Sequence, residues 1–293
     1  MAVKELETAT SLSNTGENQA SLGRAYLELD QPEKARQAFD RAVELSPTPA
    51  TFNSVAYSMA LKKLDLERAQ NYAESAISST SALLRNVSID NPSMREVHYA
   101  APLAAYWDTL GWIKFQEGDF QQAEKYVMSA WMLVEFSEVA DHLAQIYEKE
   151  GRTADAVHQY ELALATSFPM PETRPRLIAL LGTDRDIDAL VSKAGGELPA
   201  RRTAKFANRN KVEGEAEFWV LFVSDEKPPE VRFISGNEKL RRFVDIIPTA
   251  KFPPMFPDST ETRLLRRGIL ACTQQDSECT FELMPAESVH SVE

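Results

Sequence analysis

The chain has 293 residues, 43% hydrophobic and 26% charged, which is enough for a packed core and for one to three domains. Its 11 glycines and 16 prolines are too few for a collagen-like or disordered chain, and no apolar run approaches the ~18 residues of a membrane span. A net charge of −12 argues against a general nucleic-acid binder, and two cysteines exclude a disulfide scaffold and, alone, a four-ligand zinc site.

A small–large–small spacing recurs through residues 1–170. It opens with Ala2, Leu6 and Ala9 in a half unit over about 2–14. The segment 16–49 carries Leu22, Gly23 and Tyr26, then Ala35, Phe39 and Ala42, with Pro47 stopping the second helix. The segment 50–80 carries Asn53, Ala56, Tyr57 and Ala60, then Ala69, Ala73 and Ala76. The segment 104–136 carries Trp107, Leu110 and Gly111, then Ala123, Val127 and Ala130, with Lys114 and Phe115 around the expected tyrosine position. The segment 137–170 carries Leu143, Ala144 and Tyr147, then Gly151, Ala156, Tyr160 and Ala163. The alanines at 35, 69, 123 and 156 are 34, 54 and 33 residues apart, so an insert of about 20 residues falls at 81–103.

This pattern resembles the tetratricopeptide repeat, a helix-turn-helix unit of about 34 residues. The resemblance implies a mainly α fold, a right-handed α-α superhelix whose first helices line a concave groove. The half unit at 2–14 reads either as a capping helix or as the middle of a longer protein whose C-terminal piece this is. The insert reads as a longer helix end plus an exposed loop; its Asn86-Val87-Ser88 glycosylation tripeptide is a common chance match.

Residues 171–198 predict two short capping helices, the second starting at Asp184 or Asp186. Residues 199–212 predict a basic linker: 201–211 hold five basic residues and no acidic one. An anion or nucleic-acid contact is the alternative there, but Phe206 supplies little aromatic context. Residues 213–293 predict a small α+β domain. Strands are expected at 215–224 and 230–236, then a helix at 237–247 with Leu240, Phe243, Val244 and Ile247 on one side. A proline-fixed extended segment at 251–258 leads to a closing hairpin around Gln275-Asp276, giving ββαββ. The helix leading into AKFPP at 250–254 and on to a strand resembles the C-terminal module of TonB-type proteins. Repeats followed by such a tail are similar to bacterial envelope proteins with an upstream transglutaminase-like domain. That resemblance implies a catalytic part outside this chain. The paired cysteine-bearing strands depart from the TonB pattern, so no receptor-binding role is carried over.

A two-residue turn at 275–276 sets Cys272 opposite Cys279 in a hydrogen-bonded pair, and a four-residue turn at 274–277 sets them in the non-hydrogen-bonded class. The pair reads as a disulfide, which would imply an oxidising compartment such as the periplasm or envelope, or as two buried thiols, which would leave a cytoplasmic location open. His98, His142, His158 and His290 lack ligand spacing, and no phosphate loop, dinucleotide fingerprint or nucleophile elbow occurs. No catalytic residue, metal site or cofactor is therefore expected.

The expected functional surface is the repeat groove, with Arg24, Ser54, Ser58, Asp108, Trp112, Phe115, Asp141, Gln145 and Lys149. Trp112 and Phe115 read equally as anchors or as packing residues. Residues 1–170 carry 24 acidic and 14 basic side chains, so the groove suits a protein or peptide partner with an apolar anchor and a basic flank. The chain thus reads as a non-enzymatic interaction scaffold. The alternative is a non-catalytic C-terminal portion of a larger envelope enzyme, positioning its catalytic domain.

Overall fold

A computed structural model describes residues 2–182, 186–258 and 261–286. These form two compact units, one of residues up to 80 with 105–123, the other of 81–104 with 124 onward.

The first unit contains α1 (Ala2–Leu12), α2 (Gly16–Glu28), α3 (Pro32–Leu45), α4 (Pro49–Leu61) and most of α5 (Leu66–Leu84). The helix starts are written locally. Thr15 and Thr48 accept from Asn18 N and Thr51 N, and prolines occupy the first turns of α3 and α4. Inside the α2–α3 pair, a Cβ on Gly23 would lie 2.4 Å from the Phe39 ring, so only glycine lets that ring close on α2. Phe39 is 2% exposed, and Ala35, Ala69 and Ala123 are wholly buried.

α7 (Ala100–Glu117) and α8 (Phe120–Leu133) contribute residues to both units. In the second unit, α9 (Ser137–Lys149) pairs with α10 (Thr153–Ala165). One turn geometry joins the helices of all four pairs. The amides of Gln31, Leu64, Asp119 and Arg152 each donate to the carbonyl five residues back, at 2.9 Å in every case. The residue before each donor has positive φ: Asp30, Lys63, Gly118 and Gly151. This is the left-handed helix stop that frees the chain to reverse. The amides of Ala35, Ala69, Ala123 and Ala156 then open each second helix with a 3.0 Å bond.

The capping helices are α11 (Thr173–Leu181) and α12 (Ile187–Glu197), with Asp186 capping α12 through Ala189 N; Asp184 lies outside the described residues. Ala144, Tyr160, Leu177 and Ile187 share one buried cluster, so the caps cover the last helix pair.

The C-terminal part is a five-stranded antiparallel sheet, ordered β1-β5-β4-β2-β3, of β1 (Thr203–Ala207), β2 (Gly214–Phe222), β3 (Glu230–Gly236), β4 (Leu264–Cys272) and β5 (Glu278–Leu283). The expected ββαββ order is corrected by β1, which lies within the stretch expected as a linker and pairs with β5 from Thr203↔Glu282 to Ala207↔Glu278. The expected helix at 237–247 is a 3-10 helix, Glu238–Asp245, that buries Leu240 and Phe243 three residues apart, the repeat of that tighter winding. One sheet face is aromatic: Phe218 meets Phe233 at 5.7 Å and Phe281 at 6.3 Å, edge on. A Cβ on Gly268 would fall 2.2 Å from the Phe281 ring. The expected extended segment at 251–258 is held by Asp225, whose carboxylate accepts from Met255 N and Phe256 N.

The insert is not a free loop. α5 runs on to Leu84, and α6 (Met94–His98), started by a Ser93–Glu96 capping box, packs on β4. Val87 and Val97 are buried. Arg263 donates to Val87 O at 3.0 Å, and Arg232 donates to the carbonyls of Ile89 and Asp90.

Candidate functional site

The structure sorts the sequence-derived groove residues by accessibility. In the first unit Arg24 is exposed and donates to Ser21 Oγ, and Ser54 and Phe115 are half-buried. Ser58 is buried and spends its hydroxyl on Ser54 O, and Asp108 is buried. Trp112 is 6% exposed and stacks on Phe115 at 4.6 Å, with Phe120 5.7 Å beyond. Trp112 is therefore chiefly a packing residue, and Phe115 is the accessible member of the pair.

In the second unit Lys149 is exposed, but Asp141 has no exposure at all. Its carboxylate accepts from Thr173 Oγ1 at 2.6 Å, from Gln145 Nε2 at 2.7 Å and from Arg176. Three internal donors satisfy this buried charge. Asp141 and Gln145 thus fasten the cap α11 rather than face a partner. Nearby Tyr160 donates to Glu148 at 3.1 Å, and burial, with Asp141 and Glu148 adding to it, raises its phenol above the usual range.

A cleft that the sequence reading missed lies at the start of α9. Its volume is about 570 Å³, and Phe136, Glu138, Phe168, Met170, Leu198 and Pro285 line it with neighbours. Phe136 is 44% exposed and Phe168 89% exposed, unusual for side chains this apolar. Met170 N donates to Ser137 Oγ at 3.0 Å and anchors the loop that carries Phe168. The signal in the sequence was Ser-Phe-Pro-Met-Pro at 167–171, an apolar run in a turn with no helical partner position.

Arg201 and Arg202, read as linker residues, have internal roles. Arg201 lies over the Trp131 ring at 4.2 Å, and burial lowers its guanidinium to about 10. Arg202 bridges Glu135 and Glu282, both at 2.7 Å. At the hairpin end Cys272 and Cys279 face each other in register and form a disulfide with Cα atoms 4.3 Å apart, the spacing of a non-hydrogen-bonded pair. His290 lies outside the described residues. Among the described residues no group of three or more His, Cys, Asp or Glu side chains is placed to hold a metal, and no helix is long and apolar enough to cross a membrane.

No curated protein matches this chain. Among solved structures, Pseudomonas aeruginosa pilF is similar at 15% identity over 68% of this chain and 93% of its own, with a TM-score of 0.27. A thermophilic TPR protein of Thermus thermophilus is similar at 17% identity over 61% of this chain and 98% of its own, also with a TM-score of 0.27. The family description of the tetratricopeptide repeat matches residues 17–49. The matched segment is the α2–α3 pair, whose turn and buried alanine recur in the later pairs, and it identifies this chain as one that carries a tetratricopeptide repeat.

Proposed function

We propose that this chain is a non-enzymatic scaffold that holds a protein partner by a peptide segment with an apolar anchor and a basic flank. The observation that carries this is the cleft at the start of α9, where Phe136 and Phe168 stand exposed around about 570 Å³. Aromatic side chains already held in place are the usual energetic centres of an interface. Glu138 lines the same cleft, and residues 1–170 carry 24 acidic against 14 basic side chains, so a basic flank is favoured. Arg24, Phe115 and Lys149 are the accessible members of the groove set and form the second place to look.

Selection from a random peptide library on the folded chain tests this. The expected outcome is a consensus with an aromatic or aliphatic residue beside Lys or Arg, and at least tenfold weaker binding (about 1.4 kcal/mol) to Phe168→Asp at unchanged melting temperature. Selected peptides that bind the variant as well as the parent would refute the assignment of the cleft.

A further inference from the structure

A second, unrelated cleft lies at the disulfide end of the sheet. It encloses about 450 Å³ between the 208–213 loop, the start of the 3-10 helix and the hairpin tip at Gln274. Lys211, Lys239 and Arg242 line it, with Asn210, Asn237 and Glu213. All three cations are exposed. Among the described residues none of the three meets a carboxylate in an ion pair, although the protein carries a net charge of −12. The nearby acidic side chains are otherwise engaged: Glu238 is held by Arg241 at 2.7 Å, and Asp276 by Thr273 at 2.6 Å. Glu213 contributes one negative charge against three positive ones.

The walls are fixed by groups that do not take part in the charge. Asn208, 2% exposed, donates to Ser277 O through its amide and to Val212 O and Thr273 O through Nδ2, while its Oδ1 accepts from Val212 N. Lys211 sits at φ +49 with its amide on Asn208 O, a left-handed turn that sets the direction of its side chain. Asn237 caps the 3-10 helix through Lys239 N and donates to Glu213 O at 2.6 Å. The disulfide closes the hairpin that carries Gln274. Cations gathered on a frame already ordered lose little entropy when a ligand arrives.

We propose that this cleft binds a multivalent oxyanion, a phosphate- or carboxylate-bearing small molecule, through Lys211, Lys239 and Arg242. Arginine offers a planar fork and lysine a mobile point charge, the pairing that suits oxygens spread over more than one group. The experiment titrates the folded, oxidised chain with inorganic pyrophosphate and, separately, with tricarballylate, each against chloride at matched ionic strength, by calorimetry and by amide NMR. The expected result is saturable binding of at least one probe, shifts confined to 208–213, 237–242 and 273–277, and a loss of about tenfold or more in Lys239→Glu/Arg242→Glu. Glu213→Gln should tighten the same probe, an effect that damage to the fold would not produce. The two probes distinguish a phosphate from a carboxylate source. Shifts matched by chloride, or binding unaltered in both variants, would overturn the proposal.

Discussion

Arg176 on α11 and Asp141 on α9 form an ion pair whose carboxylate is wholly buried and whose guanidinium is about one-third exposed. Thr173 supports it with a 2.6 Å hydrogen bond. The pair makes the cap part of the last repeat rather than an adjacent helix. Asp141→Ala should cost about 2–3 kcal/mol, the lower range for breaking a buried pair because one partner reaches water. Urea denaturation measures it, and amide exchange in α11 should rise before exchange in α9. A cost under about 0.5 kcal/mol would mean that the cap is held by Leu177 and Ile187 alone.

Gly23→Ala places a methyl 2.4 Å from the Phe39 ring. The ring is almost wholly enclosed, so the first pair should lose about 1–3 kcal/mol by overpacking. Phe39→Leu in the same chain should recover part of that loss, because the two positions share one volume. Thermal unfolding of the two single variants and the double variant gives the coupling directly.

Reduction of Cys272–Cys279, or Cys272→Ser/Cys279→Ser, should destabilise the sheet by about 2–3 kcal/mol on loop-entropy grounds. The crosslinked residues are seven apart, which is a short loop and so sets a modest value. A free-thiol count on denatured, unreduced protein should find no thiol. Two free thiols would remove the disulfide and the argument for an oxidising compartment.

Tyr147 and Tyr160 resist ionisation. Burial is the first cause in both, reinforced by Glu124 at Tyr147 and by Asp141 and Glu148 at Tyr160. Their folded phenols titrate above the unfolded value of about 10, so the stability they carry is fully present below that pH and is lost as pH rises beyond it. Phenolate absorbance should show these two silent in the native protein at pH values where the other tyrosines ionise, and both should appear on unfolding. Native-like titration of all tyrosines near about pH 10 would contradict their burial.

The repeated part was open to direct reading. Small residues at Gly23, Ala35, Ala69, Ala123 and Ala156 are demanded wherever two helices approach closely, so the packing writes its period into the chain. The hairpin register that sets Cys272 against Cys279 was likewise legible, since local turn length fixes it. Two expectations failed for a shared reason. β1 offers one large apolar residue, Phe206, amid basic ones, and the insert offers only Val87, Ile89 and Val97, so neither shows a strong period. Their structure comes from distant partners: Arg202 with Glu135 and Glu282, Arg263 with Val87 O, and Arg232 with Ile89 O.

The sequence by itself determined the helix pairs, their turns and the strand-rich tail, because each depends on neighbours within a few dozen residues. Only the tertiary structure decided which charged groups remained available. Asp141, Arg201 and Arg202 are consumed internally, whereas Lys211, Lys239 and Arg242 meet no carboxylate among the described residues, and no pattern of spacing could separate the two sets. A charge is solvated or paired according to what the fold brings against it, and those partners lie 35 to 80 residues away along the chain for Arg176 and Arg202. The same holds for Phe168: its run of apolar neighbours was visible in the chain, but its 89% exposure was set by where the loop after α10 comes to rest.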